Sequence, residues 1–188
     1  RNVDWGTAPQ DEQQSMKQQM GRLIEYLEQL PLTLICVDGI EADDTMAYIS
    51  QQLLPKSDIM LMSTDKDFLQ LVDDRVKVWS PTKKKLYTKQ VIQEEFGLPS
   101  RNMLTYRILD GDKSDNIGGI QGAGLKTIIK HIPQITEDKD FTAKDLLEFV
   151  NNSDSKIKVL ENIKKSSNLL KRNYLLMQLN NVDIPNHT

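Results

Sequence analysis

The chain has 188 residues, 38% hydrophobic and 27% charged, with a formal net charge of −3. That balance excludes a disordered chain, and no apolar run approaches the ~18 residues of a membrane span. A single cysteine excludes a disulfide framework, and no charged-then-apolar leader opens the chain, so a cytoplasmic location is expected.

The net acidity hides a separation of signs. Lys83, Lys84, Lys85 and Lys89 form one basic cluster, and Lys156, Lys158, Lys164, Lys165, Lys171 and Arg172 form another. A basic cluster alone is usually a solvated face. The acids gather elsewhere, in "EADD", "DKD" and "DGDKSD".

In chain order, "RNVDWGTAPQ" reads as loop. From Asp11 to Leu30, the residues Met16, Met20, Leu23, Ile24, Leu27 and Leu30 recur at helical spacing, which predicts an amphipathic helix with a core-facing stripe, stopped by Pro31. "LTLICV" (32–37) predicts a buried strand carrying Cys36 as a small core hydrophobe. A helix is expected over 42–54, a second strand over 58–63, a short helix over 66–72 and a third strand over 76–80. Strands alternating with helices predict an α/β layer with a parallel or mostly parallel sheet flanked by helices. Beyond residue 87 the pattern is helical throughout. Thr88 and Gly97 bracket one helix, Ser100 and Gly111 another, and further helices are expected near 125–132, 143–151, 155–164 and 167–180. This gives an α/β region over 1–99 and a helical region over 100–188, packed as one unit. His131 is read as a helix-surface or packing residue.

In a parallel α/β sheet, ligands bind beyond the carboxyl ends of the strands. The acids fall there. Glu41, Asp43 and Asp44 follow the first expected strand, Asp65 and Asp67 follow the second, and Asp112 and Asp115 open a glycine-rich turn. Acids at helix N-termini also complement the dipole, and that explains any one group alone. All seven together would repel one another and raise one another's pKa values unless cations neutralised them. Oxygen donors with no Cys or His among them suit Mg²⁺ or Mn²⁺ rather than Zn²⁺. The turn itself, "GGIQGAGLKT", presents backbone N–H groups suited to phosphate. A metal-binding acid cluster beside a phosphate-binding turn fits a phosphodiester backbone, with two Mg²⁺ about 4 Å apart acting on one scissile bond.

These segments resemble a known family. "EADD" (41–44), "STDKDF" (63–68), "GDKSDN" (111–116) and "GIQGAGLKT" (119–127) occur in the order and approximate spacing of the 5′-nuclease superfamily, which includes flap endonucleases and 5′-3′ exonucleases. "VKVWSPTKKKLY" and "NYLLMQLNNVDIPN" look closest to the T-even-type phage ribonuclease H. The resemblance implies Glu41, Asp43 and Asp65 as ligands of a first metal, with Asp44 beside them. It implies Asp67, Asp112 and Asp115 as ligands of a second, some through water. Over 111–130 it implies a helix–hairpin–helix element that holds duplex DNA through Gly119, Gly122, Gly124, Lys126, Thr127 and Lys130, with K⁺ at the turn. Lys83 and Lys84 are added as further nucleic-acid contacts.

The implied function is a metal-dependent, structure-specific 5′-nuclease of phage-type replication or repair, with ribonuclease H activity as one form of it. It acts on branched or nicked duplex DNA or RNA–DNA with a 5′ end. A sliding clamp or a single-strand-binding protein is the expected protein partner, and no membrane is involved. Two departures stand out in the turn, where the family commonly has proline at Gly118 and a larger apolar residue at Ala123. The family's opening strand with its catalytic Asp, and its basic arch, are not found before Arg1. The expectation is therefore a fragment, a monomer or a chain paired with a separate N-terminal segment. The alternative function is a non-catalytic DNA-binding fragment or half of a split nuclease. A phosphatase reading of Asp65-Lys66-Asp67 is disfavoured by Leu69, where that chemistry wants a small β-branched residue.

Overall fold

The structure is a computed structural model and describes residues 9–179. Residues 1–8 of the segment expected as loop and residues 180–188, including His187, lie outside the described residues, while Gln10 of that segment already opens a helix. The chain divides into two compact units, Arg1–Gly39 and Ile40–Thr188.

The described part of the first unit is helix α1 (Gln10–Leu27) followed by turn and coil. The helix forms as its spacing predicts, but it buries no residue. The stripe expected to be core is exposed at Met20, Leu23 and Ile24, because no other described residues of this unit make a second layer over it. The expected strand over 32–37 does not form. Leu34 is 52% exposed, and Cys36 is exposed rather than buried. A strand needs a ladder partner, and the unit offers none among the described residues.

The second unit opens with α2 (Ala42–Tyr48), which passes into a π-helical turn at Ile49–Leu53. Strand β1 (Ile59–Met62) follows, then a 3-10 turn (Asp67–Leu71), then β2 (Val76–Ser80). β1 and β2 pair in parallel, with Leu61 opposite Val78. β2 alternates, with Val76, Val78 and Ser80 buried.

A third strand, β3 (Lys85–Tyr87), pairs antiparallel with β2 and makes the sheet mixed. Lys85 in the strand and Lys83 and Lys84 in the turn before it read in the sequence only as a basic cluster. Lysine is what an edge strand carries to discourage further pairing.

Helix α3 (Lys89–Phe96) is bracketed as expected. The Thr88 hydroxyl accepts from Val91 N–H, and Gly97 closes the helix in the left-handed region. A 3-10 turn (Ser100–Asn102) leads into α4 (Met103–Asp110), whose residues 103–109 are all buried. Then come α5 (Leu125–His131), a 3-10 turn (Pro133–Thr136), α6 (Ala143–Asn152), α7 (Lys158–Lys165) and α8 (Ser167–Met177). A reciprocal capping box between Thr142 and Asp145 starts α6. α4 packs against both the 3-10 turn 67–71 and α8, so the sheet and the helical region share one core from Ile40 onward.

Three buried amides tie this core together. Asn102 donates to the Ile135 carbonyl and accepts from Phe141 N–H. The Gln70 amide donates to the carbonyl of Met177, and its oxygen accepts from Leu179 N–H. Asn173 donates to the carbonyls of Ile108 and Gly118, both at 2.9 Å. Asn173→Ala would orphan both acceptors. It should cost about 2 kcal/mol, read as a lower urea midpoint with an unchanged slope.

Candidate metal and phosphate site

The acids come from three chain segments. Glu41 stands at the N-cap position of α2 with no side-chain capping bond, and Asp43 and Asp44 lie in the helix's first turn. Asp65 and Asp67 follow β1 in a tight turn, where the Asp65 backbone N–H donates to Ser63 Oγ at 3.1 Å. There Asp65 Oδ1 accepts from Asp67 N–H at 2.7 Å. Asp112 and Asp115 follow α4. One cavity is lined by Glu41, Asp43, Asp44, Asp65, Asp67 and Asp115, and walled on the other side by Leu175–Leu179.

Asp112 does not line that cavity. It lines a neighbouring one, which Asp65 also borders, together with Lys66, Arg107 and Asp110. Six of the seven expected acids therefore share one cavity, and the seventh stands at its flank. Among the described residues, no three Asp, Glu, His or Cys side chains are close enough as they stand to grip a metal ion.

The electrostatics show the crowding. Burial pushes the Asp43 pKa up, and the charges of Asp65, Glu41, Asp44 and Asp115 push it further. Burial raises Asp67 to about 6, against the pull of Arg107. Asp112 goes the other way. Burial opposes its charge, but hydrogen bonds from Ser114 and Arg107 outweigh it and hold the pKa low. An all-oxygen donor set under mutual repulsion fits a hard divalent cation.

Arg107 is the residue the sequence reading missed. It lies on α4 with its side chain 3% exposed. Nε donates to Asp67 Oδ1 at 2.8 Å, and a terminal nitrogen donates to Asp112 Oδ2 at 2.5 Å. The other terminal nitrogen donates to the Gly111 carbonyl at 3.1 Å. A signal existed in the sequence: an arginine among the apolar residues of "MLTYRILD" can be buried only where it has charge partners to face.

The glycines of the turn serve close packing first. A short antiparallel bridge joins Asp112 to Ile117, and Asn116 between them is left-handed at φ 58°. Gly111 has φ 75°, and a Cβ there would lie 2.5 Å from both Gly119 N and the Ile117 carbonyl oxygen. A Cβ on Gly119 would collide with the Asp110 carbonyl, reaching its carbon at 2.5 Å. Gly122 is left-handed at φ 84°, and Gly124 caps α5. Lys126 and Lys130 are exposed on α5, and Thr127 is half-buried. Lys83 donates to the Tyr87 hydroxyl at 2.8 Å and pairs with Glu95 at 3.3 Å. Lys84 sits at the hairpin turn with φ 50°.

Comparison with known proteins gives a consistent answer. Residues 8–97 match the family model described as "5′-3′ exonuclease, N-terminal resolvase-like domain". A 5′-3′ exonuclease of Buchnera aphidicola (from Acyrthosiphon pisum) is 32% identical over 158 residues, covering 82% of this chain and 52% of that protein. Among solved structures, a bacteriophage T5 protein co-crystallised with metal ions superposes with a TM-score of 0.76 at 25% identity. That match covers 94% of this chain and 65% of the T5 chain. The T5 flap endonuclease in a pseudo-enzyme-product complex with DNA and metal ions gives a TM-score of 0.73 at 25% identity over 94% of this chain and 64% of that one. The fold is α/β, with a mixed three-stranded sheet and many helices, and is similar to that of the T5 protein. The family model, the relatives and the solved structures all support the 5′-nuclease superfamily as what the chain is similar to. It spans about half the length of the Buchnera relative.

Proposed function

We propose that the chain is the metal-site and DNA-holding part of a structure-specific 5′-nuclease, a 5′-3′ exonuclease or flap endonuclease that hydrolyses phosphodiesters. The observation that carries this reading is the single cavity lined by six carboxylates from three segments. The DNA and metal ions named for the T5 flap endonuclease support it.

In this reading Glu41, Asp43 and Asp65 hold one divalent ion, with Asp44 beside them. Asp67 and Asp115 hold a second, with Asp112 at its flank and water completing the shell. Mg²⁺ is the expected ion and Mn²⁺ the expected substitute. Two such ions supply an activated water and neutralise charge at the leaving oxygen. The protein's own part is to hold the mutually repelling carboxylates in place until the ions neutralise them.

The helical region 100–188 holds the duplex, with 111–130 as a helix–hairpin–helix element and K⁺ at its turn. Backbone N–H groups at Gly122 and Gly124 and the exposed Lys126 and Lys130 face phosphates there. Such contacts position the backbone and carry little sequence information, so recognition is by shape and by a free 5′ end. The double variant Lys126→Ala, Lys130→Ala should weaken binding equally for unrelated sequences. The slope of log affinity against log salt should become shallower by about 2, read by fluorescence anisotropy across a salt series.

A substrate panel tests the activity itself. Cleavage of 5′-flap and nicked duplexes in Mg²⁺, lost in EDTA and absent on circular single strands, supports the reading. A second reading is a DNA-binding part without cleavage of its own. It is favoured by the lack, among the described residues, of three acids already close enough to grip an ion. Tight flap binding with no cleavage in Mg²⁺ or Mn²⁺ would select it.

A further inference from the structure

Arg107 lines the neighbouring cavity and reaches from there to Asp67, which lines the acid-lined one. The Arg107 guanidinium spans two carboxylates from different segments, Asp67 on the turn after β1 and Asp112 on the loop after α4. Its planar fork reaches both because Nε and a terminal nitrogen diverge on one face, which a single ammonium group cannot reproduce. The side chains of Asp67 and Asp112 are 13% and 15% exposed, so neither is free to turn into bulk water.

Each residue is also tied at a second point, Asp67 through its backbone and Asp112 through its carboxylate. Asp67 N–H donates to Asp65, and Asp112 Oδ1 accepts from Ser114 N–H at 2.7 Å and from the Ser114 hydroxyl. The third donor group of Arg107 satisfies the Gly111 carbonyl, where α4 ends. The end of α4, the loop after it and the turn after β1 are thus registered to one another through one side chain.

We propose that Arg107 is a positioning residue that sets Asp67 and Asp112 for divalent metal before the metal arrives. The proposal rests on the metal-site reading above. It assigns Arg107 no contact with substrate. Two effects of the guanidinium oppose each other at such a site. Its charge repels an incoming cation, while the geometry it imposes removes the cost of gathering the acids. Arg107→Lys separates them, because it keeps the charge and loses the fork.

The test titrates the chain and its Arg107→Lys variant with Mn²⁺ alone, followed by electron paramagnetic resonance of free Mn²⁺, with Asp65→Asn as a control. Thermal unfolding in EDTA is read in parallel. Loss of an outer partner of a metal ligand typically weakens metal binding by 10- to 100-fold, and about tenfold is expected for Arg107→Lys. In cleavage assays the metal concentration for half-maximal rate should rise by a similar factor, with the KM for flap DNA unchanged. A purely structural role would lower the unfolding temperature and leave the Mn²⁺ affinity alone, which overturns the proposal while the metal reading stands. No Mn²⁺ binding by the unaltered chain would overturn both.

A second measurement needs no variant. The Arg107 Nε–H resonance of the unaltered protein should be protected from exchange in EDTA and remain so on Mg²⁺ addition. A rapidly exchanging Nε–H in EDTA would overturn the proposal.

Discussion

Asp65→Asn should lower flap cleavage by roughly 10³-fold while leaving flap affinity within about twofold. Asp65 borders both the carboxylate cavity and the neighbouring one lined by Arg107 and Asp112, so it is the acid most central to the group. The amide keeps the shape and can still accept the Asp67 N–H that Oδ1 now takes at 2.7 Å. What it loses is one charge and one metal-competent oxygen. The stability should not fall. Asp65 is among the charges that raise the Asp43 pKa, so the two acids repel in the folded state. Removing one charge relieves that repulsion above the ordinary carboxylate pKa, and the metal-free variant should be at least as stable as the parent at neutral pH. The paired readout is single-turnover cleavage and thermal unfolding in EDTA. Cleavage within tenfold of the parent, or a clear loss of stability, would go against the described site.

Gly119→Ala should destabilise the protein by about 4 kcal/mol, a drop in unfolding temperature of roughly 8–16 °C. The cause is backbone against backbone. The added methyl would run into the Asp110 carbonyl, and it would also lie 2.8 Å from the Leu109 carbonyl oxygen. The neighbouring Ile120 N–H donates to that same Leu109 carbonyl at 2.7 Å, so the loop cannot lift away without breaking the bond. Gly118→Ala is the matched control. Nothing lies within 4 Å of its Cβ position and its φ is not positive, so its cost should stay within about 0.5 kcal/mol. A neutral Gly119→Ala would mean that the loop does not close on α4 as described. Both variants are read by calorimetry.

The parts of the fold legible in the sequence were those with a local cause. Thr88 and Gly97 define α3 by cap chemistry, and the strand expected over 76–80 forms as β2. The three acid segments were legible because each sits at a strand or helix end, where the chain's own geometry places ligands. What failed depended on distant partners. The apolar run at 32–37 has strand composition but no ladder to join among the described residues of its unit, and Cys36 is exposed with it. β3 was hidden because an edge strand's lysines look like a surface patch. The stripe of α1 has the right period, yet period says only which residues share a face, not whether a second layer covers it. Arg107 was passed over because a lone arginine carries no motif. Its role appears only when Asp67 and Asp112, forty and five residues away, are brought to it.

The central claim is that these carboxylates make a working metal site in this chain. The most direct test is a Mg²⁺ titration on a 5′-labelled flap duplex, with binding and cleavage read from the same samples and an EDTA control. Binding is expected at every Mg²⁺ concentration, with cleavage that rises with Mg²⁺ and vanishes in EDTA. Stable binding without cleavage across the whole titration would contradict that claim.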